Sequence, residues 1–253
     1  MNALALVGLG LFMVTSLIVS VRLFALARRT RELPELLLAT ALLCVGFLAF
    51  AVGTAVKLFV TPTETRLAIF TALGLSIECI GVLALVGFAW RVFHPHGLPG
   101  RLVAGTLFAL VATAVVGEVG SGEYLRYADG LAMRGPYLPF GLAARSLGPL
   151  WVSFECFRYH AKLRRRMRIG LAEPFVVHRV ALWGVALGAS FTAYLTSFVH
   201  RMVYGTGIRF HAWAIGTISL MATVTAVGIA LAYFPPERYR AWVVKKGEEL
   251  GAG

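Results

Sequence analysis

Apolar residues dominate seven separate stretches of the chain, and short polar gaps separate each stretch from the next. Each stretch supplies about the 20 residues that a helix needs to cross a hydrocarbon core of roughly 30 Å. A transmembrane β-barrel would instead show alternating segments of about ten residues. The pattern predicts an all-α, polytopic membrane protein with a seven-transmembrane helix bundle. The predicted spans are 4–26, 36–60, 67–90, 102–119, 138–157, 175–203 and 210–234.

The gaps between the stretches are too short to hold a soluble domain, so we expect one transmembrane domain over residues 1–236. After Pro235 and Pro236, aromatic residues alternate with Arg and Lys through residues 238–246. This mixture is typical of a short helix that lies in the lipid headgroup region. Residues 237–253 are therefore predicted to form a short amphipathic cytoplasmic tail.

Basic residues gather in every second gap and in the tail. Because Lys and Arg in short loops are retained on the cytoplasmic side, this distribution predicts an external amino terminus and a cytoplasmic carboxyl terminus. We expect the protein to lie in a bacterial cytoplasmic (inner) membrane. The first stretch lacks a basic region before it, which favours a retained helix over a cleaved signal peptide. The cytoplasmic side then carries 17 of the 24 basic residues: Arg22, Arg28, Arg29, Arg31, Arg91, Arg101, Arg158, Lys162, Arg164, Arg165, Arg166, Arg168, Arg179, Arg238, Arg240, Lys245 and Lys246.

The placement of the basic residues gives the net charge of +12 a simple explanation at the membrane surface. Basic loops at a cytoplasmic membrane face are attracted to anionic headgroups, by about 1 kcal/mol for each charge near the surface. We expect the anionic lipid bilayer as the main partner, with an acidic protein partner at residues 158–179 as the alternative. No motif indicates nucleic-acid binding.

Ionisable residues inside the predicted spans are the strongest candidates for a ligand or ion site, because a buried charge is costly and rarely kept without a role. Glu78 lies near the middle of the third span and Arg145 lies within the fifth. A buried arginine stays charged and requires a partner. We expect Glu78 to be that partner, with Glu118 at the outer end of the fourth span as the second choice. A structural clamp between helices is the alternative to a ligand, ion or proton site.

A second group of polar residues lies at the cytoplasmic ends of the fifth and sixth spans. An ion pair at the membrane interface explains Glu155, yet the segment as a whole concentrates the polar residues of the chain. We predict a site for a cytoplasmic partner or a switch formed by Glu155, Arg158, His160, Arg164, Arg165, Arg166, Glu173, His178 and Arg179.

Gly184 and Gly188 form a GxxxG pair, which lets helix backbones approach closely in lipid. Packing within the chain and a homodimer through this pair are both open. We expect no cofactor, no metal site and no enzymatic activity, because no catalytic motif is present and the six histidines lie at the span ends.

The layout is similar to that of bacterial seven-helix sensors, an analogy at the level of the fold. The leading hypothesis is an integral membrane sensor or receptor-like module. It would signal through a separate cytoplasmic partner, because few residues follow the seventh span. The external loop between Glu118 and Tyr137 could cover an outward cavity. The alternatives are a non-catalytic subunit of a larger membrane complex and a transporter of small solutes or protons.

Overall fold

A computed structural model describes residues 3–52, 64–122, 136–204 and 211–251, and every regular element in these ranges is a helix. Pro34 and Pro99 lie in the first turns of their helices, where a missing N–H costs no helical hydrogen bond. The helices are α1 Ala3–Thr30, α2 Leu33–Ala41, α3 Glu64–Phe93, α4 Leu98–Gly120, α5 Tyr137–Arg168, α6 Pro174–Tyr204, α7 Ala212–Tyr233 and α8 Glu237–Gly251.

Six helical segments of the described chain are long and apolar enough to cross a membrane: Val7–Thr30, Leu33–Val52, Ala72–Phe93, Leu98–Gly120, Pro174–Tyr204 and Ala212–Tyr233. This confirms the all-helical class and six helices that are long and apolar enough to span a membrane. The stretch predicted at 138–157 is also helical, within α5, but its polar residues lower its hydropathy below that of the six. The count of seven spans and the orientation stay predictions. Residues 53–60 of the predicted second span lie outside the described residues.

Six of the helices close into a ring around one core. α1 packs against α2 and α7, α2 against α3, α5 against α3 and α6, and α6 against α7, whereas α4 packs beside the ring on α3 and α5. Helices associate in lipid through close van der Waals packing, which favours small and aliphatic side chains at the contacts. The core accordingly contains Val19, Ala39, Ala89, Val152, Ala186, Ile229 and Ala232.

One end of this bundle, named here the basic end, collects the segments with most of the Arg and Lys residues. Arg22 in the last part of α1 donates a hydrogen bond to the carbonyl of Tyr233 at the end of α7, at 3.0 Å. His94, directly after α3, lies 3.0 Å from Glu155 in the second half of α5. The alternating basic gaps of the sequence therefore meet at the same end of the structure.

The opposite end brings together the other helix termini. The start of α1 approaches the start of α7, because a side chain at Gly8 would touch Ser219. His200 near the end of α6 lies beside His211, the residue before α7. Of the loops at this end, residues 123–135 lie outside the described part of the chain, including most of the loop expected to cover a cavity.

The GxxxG pair packs within the chain. A Cβ atom at Gly184 would lie 3.0 Å from the Phe157 ring of α5, and one at Gly188 would lie 3.2 Å from the Ser153 hydroxyl oxygen. The Ser153 hydroxyl also donates a hydrogen bond to the Gly184 carbonyl, at 2.8 Å. Both glycines therefore allow α5 and α6 to approach closely, and their shared face is already covered. A homodimer through them stays a prediction.

A π-helical segment, Leu42–Leu48, continues α2. Its backbone packs closely against α3. A Cβ atom at Gly81 of α3 would lie 2.6 Å from a Val45 methyl carbon and 3.0 Å from the Val45 nitrogen. π-helical turns are rare and are frequent at functional sites. This one packs against α3 one turn away from Glu78, since residues three apart share a helix face.

Candidate functional site

Arg145 and Glu118 form a buried ion pair between α5 and α4. The Arg145 Nη1 atom lies 3.2 Å from each carboxylate oxygen of Glu118. Arg145 is 2% exposed and Glu118 is fully buried. Hydrogen bonds between two ionised groups are stronger than neutral ones. They offset the cost of removing both charges from water only when the geometry is good.

Gly141 makes room for this pair. It lies four residues before Arg145, so both residues share one face of α5. A Cβ atom at position 141 would lie 1.7 Å from a Glu118 carboxylate oxygen and 3.1 Å from Arg145 Nη1. Any side chain there would displace the carboxylate, so the glycine positions Glu118 against the α5 backbone.

Glu78 of α3 is the second carboxylate of the cluster, and it is held less tightly. Its Oε2 atom lies 3.8 Å from Arg145 Nε, beyond hydrogen-bonding distance, and its side chain is 24% exposed. The Tyr194 side chain of α6 lies beside Glu78. Within the described part of the chain, the buried Arg145 Nε has no hydrogen-bond partner. Arg145 Nε is therefore a donor of the cluster whose hydrogen bond is not made within the described part of the chain.

The structure thus brings together the three residues predicted for a ligand or ion site, but the order of the partners differs. The sequence favoured Glu78 as the main partner of Arg145, whereas Glu118 accepts its hydrogen bonds. The space at Gly141 decides this, because it lets Glu118 approach the α5 backbone. Tyr194 was not predicted, although a tyrosine within an apolar span needs a partner for its hydroxyl group.

A pair of histidines lies at the same end of the bundle. His200 Nε2 and His211 Nδ1 are 2.9 Å apart, and the backbone N–H of His211 also points to His200 Nε2, at 3.1 Å. The rings of Tyr204 and Trp213 pack around His200. Protein zinc sites need at least three side-chain ligands, and no cluster of three metal-ligating residues occurs among the described residues.

At the basic end, Glu155 is the centre of a second polar group. It is 5% exposed and lies 3.0 Å from His94 Nε2 and 3.4 Å from Arg158 Nη1. The His94 ring stacks on Trp151. The sequence places His94 only at the end of a span. Its contact with Glu155 arises because α3 packs against α5.

The remaining residues predicted for a cytoplasmic partner or switch follow the junction of α5 and α6. His160 Nδ1 lies 2.9 Å from the Val177 carbonyl, which ties the end of α5 to the start of α6. Three of the predicted residues instead extend into solvent on the last turns of α5: Arg164, Arg165 and Arg166.

The tail predicted at 237–253 forms α8, which packs under α6. His178 is hydrogen-bonded to the Tyr239 hydroxyl group, and Glu173 lies 3.8 Å from Arg240. Burial raises the pKa of Tyr239 above its ordinary value. Val243 is buried at the same contact. The tail therefore belongs to the basic end of the bundle.

Comparisons of the chain with protein-family models, with curated proteins and with solved structures give no match.

Proposed function

We propose that the chain is an integral membrane sensor or receptor-like module with seven spans and no enzymatic activity, which signals through a separate cytoplasmic partner. One observation carries the proposal: α5 and α6 each contribute side chains to the cluster around Arg145 and to the basic end. α5 holds Arg145 and Glu155, and α6 holds Tyr194 and His178. A ligand that changes the packing of these two helices at the cluster would therefore also move their residues at the basic end.

The seventh span in this proposal is α5. Its polar side chains are buried against other helices instead of facing lipid, as Arg145, Ser146, Ser153 and Glu155 are all at most 7% exposed. A helix with inward-facing charges is tolerated in a membrane when those charges are paired. With α5 counted, the alternating basic gaps favour an external amino terminus and a cytoplasmic carboxyl terminus.

The ligand in this proposal is a small polar molecule that contacts Arg145 Nε and the exposed part of Glu78 together. Arg145 Nε offers an unused donor, and Glu78 offers a partly exposed acceptor 3.8 Å away. A molecule with neighbouring acceptor and donor groups would satisfy both. The proposed protein partner meets residues 158–179 at the basic end, where Arg164, Arg165 and Arg166 are exposed.

Spin-label distance measurements test the proposed coupling. Labels at Arg165→Cys and Arg28→Cys report the separation of α5 and α1 at the basic end, after the buried native residues Cys44, Cys79 and Cys156 are replaced. We expect Glu78→Gln to shift the distance distribution. The control is Gly105→Ala, because a Cβ atom there touches nothing. The same distribution in both variants would contradict a sensor whose cluster controls the basic end.

A small-solute or proton transporter is the second proposal, favoured by the partial exposure of Glu78 inside an otherwise buried cluster. Purified chain in proteoliposomes would then carry a flux that Glu78→Gln abolishes. A non-catalytic subunit of a larger membrane complex is the third. It predicts that partners of fixed stoichiometry copurify from native membranes whether or not Glu78 is intact.

A further inference from the structure

Two arginines converge on one aromatic ring where α8 meets α6. The guanidinium carbon of Arg179 lies 5.2 Å from the centroid of the Phe175 ring, and that of Arg240 lies 5.7 Å from the same centroid. Phe175 is 3% exposed, whereas both arginines are exposed. Two like charges therefore lie beside the same buried ring, in one small region of the surface.

Two exposed carboxylates nearby, Glu173 and Glu237, balance part of this charge. Glu173 lies 3.8 Å from Arg240, and both side chains are more than half exposed. Exposed pairs of this kind contribute little to stability. Arg22 adds a further positive charge nearby, since it binds the Tyr233 carbonyl and lies 4.9 Å from the Phe234 ring.

We propose that Arg179 and Arg240 bind the phosphate of an anionic lipid headgroup, in the leaflet beside the basic end. Arginine is the side chain best suited to phosphate, because its planar group donates several hydrogen bonds in a fixed arrangement. A phosphate at this position reduces the repulsion between the two guanidinium groups. Arg179 is the last residue of the segment proposed for the protein partner. In this inference it binds lipid, and the partner contacts the exposed arginines Arg164, Arg165 and Arg166.

The outer face of α8 identifies lipid as the source of that phosphate. Val243 and Gly247 face the bundle, and Gly247 is so close to Pro174 that a Cβ atom would overlap it. Trp242 is 52% exposed on another face, and Lys246 lies 5.0 Å from its ring centroid. Tryptophan beside basic residues is typical of helices at the headgroup level.

The position of the site within the molecule favours the same occupant. The six membrane helices bring the basic end to the edge of a bilayer, and the basic end carries most of the positive charge of the chain. An anionic leaflet complements that charge. The site is formed by α8 and the membrane helix that it contacts. Lipid would therefore bind there in either orientation of the chain, with or without a signalling role.

Lipid retention measured by native mass spectrometry tests the site. The full chain is released from nanodiscs that contain phosphatidylcholine with or without phosphatidylglycerol. We expect bound phosphatidylglycerol in the wild type and a loss of roughly a hundredfold or more in Arg179→Gln/Arg240→Gln, because both charge-assisted hydrogen bonds to the phosphate are removed. The matched control is Arg28→Gln/Arg29→Gln, which removes two exposed charges from the same end. Arg240→Gln alone provides a second variant that leaves the bundle helices unchanged.

Three results would overturn the proposal. An equal loss in the control pair would show a diffuse basic surface instead of a site. Displacement of the lipid by inorganic phosphate at low concentration would show a site for free phosphate. Displacement by an acidic peptide, with protection of α8 from hydrogen exchange, would show a protein-binding surface.

Discussion

Removing the carboxylate of Glu118 should destabilise the bundle more than removing that of Glu78. Glu118 accepts two hydrogen bonds of 3.2 Å from Arg145, and both side chains are at most 3% exposed. Glu118→Gln leaves a buried arginine without its main counter-charge, which costs roughly 3 to 5 kcal/mol for a buried pair. Glu78 lies 3.8 Å away and is 24% exposed. Its replacement by Gln should cost about 1 kcal/mol, closer to the value for an exposed pair.

Two double-mutant cycles measure these couplings separately. Each combines Arg145→Gln with one carboxylate variant, and unfolding is followed by circular dichroism during titration of mixed micelles with a denaturing detergent. We expect a coupling of about 2 to 3 kcal/mol for the pair with Glu118 and about 1 kcal/mol or less for the pair with Glu78. Strict additivity at Glu118, or a larger coupling at Glu78, would refute the reasoning.

Gly141 gives an independent test of the same geometry. Gly141→Ala introduces a methyl group at the position of a Glu118 oxygen, so the carboxylate must move and lose its hydrogen bonds. We expect a loss of roughly 2 to 4 kcal/mol, as for other overpacked or disrupted polar cores. Gly105→Ala in α4 meets no neighbouring atom and should be neutral or slightly stabilising, because alanine is the better helix former. Equal effects of the two substitutions would show that the space at Gly141 is unimportant for the position of Glu118.

Four further outcomes are expected. Gly100→Ala should destabilise the chain relative to the same control glycine, because its methyl group overlaps His94, and thermal unfolding in detergent measures this. Tyr239→Phe should weaken the docking of α8 by about 1 kcal/mol, seen as faster hydrogen exchange. Because burial raises the pKa of Tyr239, docking should be constant between pH about 8 and about 10, above the ordinary pKa of its partner His178, and weaken as the pH rises further, whereas Tyr239→Phe should show no such decline. A thiol at Arg165→Cys should be labelled by an impermeant reagent only after cells are permeabilised, and labelling of intact cells would contradict the proposed orientation.

The membrane helices could be predicted because the signal for them is local. Each apolar stretch is contiguous in sequence, and the bilayer sets the length that it must reach. The six helices that are long and apolar enough to span a membrane overlap six of the predicted stretches. α5 is harder to classify by composition alone, because Arg145 and Glu155 lower its hydropathy although both are buried in the fold.

The candidate site was only partly predictable. Glu78, Arg145 and Glu118 stand out in the sequence, because ionisable residues are rare in apolar stretches. Their pairing depends on which helices are neighbours and on a gap the size of one methyl group at Gly141. Tyr194 joins the cluster because α6 packs beside α5, and no spacing along the chain reveals that contact.

The sequence alone thus determined the helical class, the membrane stretches and the gathering of basic residues in alternate gaps, since each depends on neighbouring residues and on the bilayer. Only the tertiary structure decided that Glu118 is the main partner of Arg145, that His94 meets Glu155, and that Arg179 and Arg240 share the Phe175 ring. These contacts join residues from different helices at distances of a few ångströms. Hydropathy is similar for many packings of the same helices, whereas hydrogen bonds and close contacts at glycine differ among them.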